Sequence, residues 1–121
     1  MGISVIIESV KVIGQDPYKR EVTTLLSLWR NYGCSLDTIL EWFADRLDIE
    51  HIALGPYYEF KPGVMDDLVE ACEKALNNEG PFAGKEGMPE QDCRNIIETV
   101  TKFKKENEDD WEQMYFQVSA S

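Results

Sequence analysis

The chain has 121 residues, 43% of them hydrophobic, and a formal net charge of −11. That length fits one domain spanning residues 1–121, long enough to bury a sizeable core. The charge argues against direct nucleic-acid binding, which needs Lys and Arg to displace counterions from phosphate, and against an anionic membrane surface. No apolar run approaches the roughly 18 residues of a bilayer-spanning helix. The N-terminus lacks the basic region and long apolar core of a signal peptide. Cys34, Cys72 and Cys93 are odd in number and widely spaced, which points away from a disulfide framework and towards a reducing cytosol.

In chain order, the first predicted element is a strand over residues 3–13. Ile3, Val5 and Ile7 share one face, and Val10 and Val12 the other. The change of parity at Glu8-Ser9 predicts a bulge or break there. Gly14-Gln15-Asp16-Pro17 reads as a turn. A helix is predicted over residues 18–32, capped by Asp16 with Pro17 at its first position. Its stripe is Val22, Leu25, Leu26, Trp29 and Tyr32, and Gly33 closes it. Ser35 then caps a second helix over residues 36–47, with stripe Leu36, Ile39, Leu40, Phe43 and Leu47. The short link between them predicts a helical hairpin.

Residues 57–61 read as a short strand, which Pro62-Gly63 breaks. A third helix, residues 64–76, turns Met65, Leu68, Cys72 and Leu76 inward, and Asn77-Asn78-Glu79-Gly80 ends it. Residues 81–88 form a loop. A fourth helix, residues 90–105, carries Glu90 and Asp92 in its first turn and Lys102, Lys104 and Lys105 in its last, the order favoured by the helix dipole. Cys93, Ile96, Ile97, Val100 and Phe103 face the core.

Residues 106–118 join the densest acidic run to the densest aromatic run. Met114, Phe116 and Val118 alternate with Gln113, Tyr115, Gln117 and Ser119, the period of a half-buried strand. The same stretch also fits a helix capped by Asn107, with Trp111, Met114, Tyr115 and Val118 on one face. The strand is preferred because the N-terminal strand needs a partner. The order β-α-α-β-α-α-β predicts an α+β domain. Its sheet would be small and mixed, of about three strands, with the N- and C-terminal strands paired. About four helices would cover one face.

Residues 1–63 carry nine acidic and six basic groups, residues 64–121 fourteen and six, so the acidity belongs mainly to the second half. Glu106, Glu108, Asp109, Asp110 and Glu112, with Tyr115, are the candidate partner-binding surface; a solubilising charge run is the competing reading. The run lacks the alternating ligands and central glycine of a calcium loop. Trp42 lies off the stripe of its helix, which puts it at the edge of the core, partly buried, as the preferred reading; if exposed, it would be an interface anchor. A second candidate is a small-molecule pocket near Trp42, His51, Tyr57 and Tyr58. His51 with Cys34 makes a conceivable nucleophilic pair. The cysteines and His51 match a zinc site in number but not in spacing. The glycines of residues 80–87 lack the spacing, the Ser or Thr and the preceding strand of a phosphate loop. No catalytic, metal or cofactor residues are therefore assigned.

The stretches Leu40-Glu41-Trp42-Phe43, Tyr57-Tyr58 with residues 68–76, and residues 111–119 carry a resemblance. With the Met1-Gly2-Ile3 start, the chain resembles a family of short uncharacterised proteins from bacteriophages and prophages. Their pattern is an apolar first strand, a Trp-Phe pair on an early helix, a Tyr-Tyr strand and a C-terminal Trp before a Tyr-Gln-Ser-Ser-Trp-like end. This chain departs in having Leu40 where the family has a His, and Ser119-Ala120-Ser121 in place of the final Trp. The resemblance implies a phage setting in the host cytoplasm and brings no catalytic residue. The expected function is a non-enzymatic accessory protein whose acidic face binds a host or phage protein, for instance a basic nucleic-acid-binding surface. The alternative is a small enzyme or metabolite-binding module, and self-association as a homodimer is a third reading.

Overall fold

A computed structural model describes residues 2–12, 14–15, 19–31, 36–84 and 88–121. Four strands and three helices follow one another along them: β1 (Gly2–Val12), β2 (Arg20–Asn31), α1 (Leu36–Arg46), β3 (Tyr57–Phe60), α2 (Pro62–Leu76), α3 (Glu90–Glu106), a 3-10 turn (Trp111–Gln113) and β4 (Tyr115–Ala120). The strands form one sheet in the order β2-β1-β4-β3, every neighbouring pair antiparallel.

The two ends of the chain do meet as expected. Val5 to Val10 of β1 run against Ala120 to Tyr115 of β4, and Ser4 and Ser121 exchange backbone hydrogen bonds of 2.7 and 2.9 Å. Met114, Phe116, Val118 and Ala120 are buried, while Tyr115 is exposed and Gln117 and Ser119 are half-buried. The period-two reading of this stretch is therefore correct. Asn107 caps the end of α3 and opens no further helix.

The helix predicted over residues 18–32 is a strand, and the helical hairpin goes with it. Residues 20–31 pair with the whole of β1. Two forces favour the strand. Val22-Thr23-Thr24 is a β-branched run whose stiff side chains suit a pleated surface. The reversal at Gly14, with φ of +66°, feeds the chain straight back along β1. The misleading helical stripe has a local cause. Leu26 pairs with Ile7 and Thr24 with Glu8, so Leu25 is an extra residue in β2. That bulge swaps the faces in mid-strand: Thr24 is exposed, whereas Leu26 and Leu28 are buried. The parity change expected in β1 sits one residue earlier than predicted, and its extra residue belongs to the partner strand. The predicted caps Asp16, Pro17, Gly33 and Ser35, with Tyr18 and Tyr32, lie outside the described residues.

Other expectations need smaller corrections. The sheet has four strands and is antiparallel, not mixed with three, and the described helices number three. Pro62 does not merely break β3; it occupies the first turn of α2, where a missing N–H costs no helical bond. Asn78 and Gly80, at φ of +61° and +81°, end α2 as the sequence suggested. In α1 the buried face is turned towards Trp42. Ile39, Trp42, Phe43 and Ala44 are buried, while Leu40 and Leu47 are only half-buried.

Trp42 is buried because Phe82, from the loop after α2, packs on it at 5.8 Å between ring centroids. Phe43 meets it edge-on at 5.1 Å, and the Arg46 guanidinium lies 5.3 Å from its ring. From there an aromatic chain crosses the core. Phe43 contacts Phe60 at 5.3 Å, Phe60 stacks on Phe116 at 5.9 Å, and Phe116 meets Trp111 at 5.3 Å and Phe103 at 6.2 Å. Val5, Ile7, Met65, Leu68, Ile96 and Val100 fill the space around it.

On the sheet's outward side, Glu59, Gln117, Glu8 and Thr24 make a polar row across all four strands. Gln117 Nε2 donates to Glu8 Oε1 at 2.9 Å. Arg20, at the start of one edge strand, donates to Glu59 on the other at 3.0 Å, so the sheet is strongly cupped. No described helix is long and apolar enough to cross a membrane.

Candidate functional site

The acidic segment is built by the way α3 stops. Asn107 N–H reaches the carbonyls of Phe103 and Lys104, and its side-chain amide donates to Phe103 O at 2.9 Å. The following turns are closed by Asp110 N–H to Asn107 O at 3.1 Å and Gln113 N–H to Asp110 O at 3.0 Å. Backbone hydrogen bonds therefore set the path of the segment before any side chain acts on it.

Trp111 then pins the segment to the core. Its ring is 5% exposed and lies against Phe116 and Phe103. Its indole N–H makes a long contact, 3.4 Å, to Asp66 Oδ2 on α2. The other oxygen of Asp66 accepts from Lys104 Nζ at 2.9 Å, and that ammonium lies 5.4 Å from the Trp111 ring. One carboxylate on α2 thus holds α3 and the turn after it together.

Around this anchor Glu106, Glu108, Asp109, Asp110 and Glu112 are all exposed. None of the five has an ion-pair partner among the described residues. Apart from Lys104–Asp66 at the anchor itself, the ion pairs among the described residues lie elsewhere, such as Arg94–Glu90 at 2.7 Å and Arg46–Asp67 at 3.4 Å. Tyr115 is 39% exposed, with Lys61 Nζ 3.9 Å from the centre of its ring. A groove of about 720 Å³ runs between the start of α2 and this segment, lined by Lys61, Asp66, Lys104, Glu108, Asp109 and Glu112 among others. The contiguous run was visible in the sequence. Asp66 and Lys61 were not, because their partners lie far along the chain and leave no local spacing to read.

The second candidate set does not gather at one place. Trp42 is in the core. His51 is exposed and lines a hollow of about 390 Å³ with Asp37, Glu41, Asp45 and Glu50, which Trp42, Tyr57 and Tyr58 do not line. Tyr57 and Tyr58 are successive strand residues and so point to opposite faces. Tyr57 is 63% exposed. The Tyr58 hydroxyl instead accepts from Ala53 N–H at 3.1 Å, fixing the connector before β3. Tyr58→Phe is expected to lower stability by about 1 kcal/mol through that lost hydrogen bond. A shift in the urea midpoint at unchanged slope checks it.

Among the described residues no group of three or more His, Cys, Asp or Glu is placed to hold a metal ion. Cys34, the conceivable partner of His51, lies outside them. Cys72 and Cys93 are buried free thiols. Burial pushes both up from the ordinary thiol value. Comparison of the chain with protein-family models, curated proteins and solved structures finds no match.

Proposed function

We propose that the protein is a non-enzymatic binding protein that presents residues 106–112 and Tyr115 to a basic surface of a protein partner. The supporting observation is that five exposed carboxylates without ion-pair partners among the described residues sit on a segment pinned by a buried tryptophan. A charge run that only solubilises needs no such anchor. Here the turns and the buried indole fix the path of the backbone that carries the negative groups, which lowers the ordering cost of binding. Unscreened charge of one sign also steers a positive partner and speeds encounter. A surface that otherwise takes nucleic acid is the fitting target, because it already carries the complementary Lys and Arg. Competition with nucleic acid would then inhibit the partner. The setting, a phage-infected cell and its cytoplasm, rests on the sequence resemblance.

The test is capture of basic proteins from a bacterial lysate on the immobilised chain. Binding at about 0.1 M salt is expected to be lost near 1 M, where the screening length falls from about 10 to about 3 Å. Replacing Glu108 and Glu112 by Gln and Asp109 and Asp110 by Asn should weaken capture at least tenfold without lowering the melting temperature. Capture that ignores both salt and these substitutions would refute the proposal, as would no capture at low salt.

A further inference from the structure

The sulfur pair between α2 and α3 lies outside the site just described. The two helices run antiparallel, with the Lys104–Asp66 contact near the start of α2 and the end of α3. Towards the other end, Cys72 and Cys93 face each other across the helix interface. Neither side chain has exposed surface, and the two thiols are close enough for each to influence the other's charge. They are not equally reached. A cavity of about 480 Å³ opens between the end of α2 and the start of α3, and Cys93 forms part of its wall with Leu76, Phe82 and Met88, whereas Cys72 does not line it.

We propose that Cys72 and Cys93 are a thiol–disulfide couple that staples α2 to α3 when a small-molecule disulfide enters this cavity. Cys93 is the attacking group, because it lines the cavity and Cys72 does not. Its sulfur attacks one sulfur of the small disulfide, and the other leaves as a thiol after taking a proton. Cys72 then loses its proton and attacks Cys93 Sγ, expelling the second small thiol. The protein gives up two hydrogens, the small disulfide is reduced to two thiols, and one S–S bond joins the helices. Burial keeps both thiols protonated at neutral pH, so the reaction is slow and rests in the dithiol form in a reducing compartment.

The experiment treats the full chain carrying Cys34→Ser, which removes the third thiol, with oxidised glutathione under native conditions. The expected product is lighter by two hydrogens, and proteolytic mapping links Cys72 to Cys93. The bond closes a loop of about 20 residues, so the melting temperature should rise by roughly 10 °C and return on reduction. In Cys72→Ala the attack stops halfway, leaving one glutathione on Cys93. In Cys93→Ala, Cys72 should stay unmodified while the protein is folded. Thiols that stay free in the folded Cys34→Ser chain, glutathione that persists on either cysteine of it, or a link that forms only after denaturation would each overturn the proposal. Because the readouts are mass and melting temperature, failure here leaves the acidic docking surface untouched, and failure of that surface leaves this couple standing.

Discussion

Phe116→Ala is expected to lower the stability of this protein by about 4 kcal/mol, near the upper end for truncating a buried aromatic ring. Phe116 has no exposed surface. Its ring touches Phe60, Phe103 and Trp111 at once, which belong respectively to β3, α3 and the turn before β4. Truncation removes the transfer energy of the ring and leaves a cavity. It also breaks three aromatic contacts, each contributing about 0.5–1.5 kcal/mol beyond burial. A chain of this size is stable by only about 5–15 kcal/mol in total, so one substitution takes a large share. Phe116→Leu keeps most of the volume and should cost less than half as much. Chemical denaturation of both variants checks the ordering. Equal costs would mean that the volume Leu restores counts for little and that the ring contacts carry the effect.

Trp111→Ala is expected to cost about 3–5 kcal/mol and, unlike Phe116→Ala, to release the acidic segment selectively. The indole links the aromatic chain to Asp66 and Lys104, and it sits inside the run of exposed carboxylates. Without it, the turn hydrogen bonds at Asp110 and Gln113 lose their backing. Hydrogen exchange at the amides of residues 107–114 should then speed up by more than the global loss of stability requires. Trp111→Phe retains the ring packing and gives up only the long N–H contact to Asp66. It should keep slow exchange and most of the stability. Capture of basic proteins should follow the same order, retained in Trp111→Phe and reduced in Trp111→Ala. Equal exchange in the wild type and Trp111→Ala would show that the backbone turns alone hold the segment.

These two residues lie in the part of the chain that was most legible. Residues 114–118 alternate cleanly, because β4 is buried on one face and unbroken by a bulge against β1. The helices α2 and α3 were equally readable, since each keeps one apolar stripe along its whole length. The strand β2 was misread for a definite reason. The bulge at Leu25 flips its faces halfway, and a period of two interrupted once places Val22, Leu25, Leu26 and Trp29 at helical spacing. Phe82 was missed, and the full depth of Trp42 went unread, for another reason. Each is buried by the other, and a loop residue gives no periodic sign that it returns to the core. At the candidate site the carboxylates are neighbours in sequence and were visible. What fixes them, the contacts of Asp66 with Lys104 and Trp111, joins residues about forty positions apart and could come only from the fold.

The strand order also governs when this molecule can assemble. β1 and β2 are adjacent in sequence and can pair as soon as both have left the ribosome. β3 is an edge strand whose sheet neighbour is β4, and β4 is made after β3, α2 and α3. Two of the three strand pairings therefore wait for β4, and until it is made β3 has no strand to pair with. Closure by so distant a pairing is slow relative to the hairpin. During synthesis, the stretch most in need of chaperoning is the one from β3 up to β4.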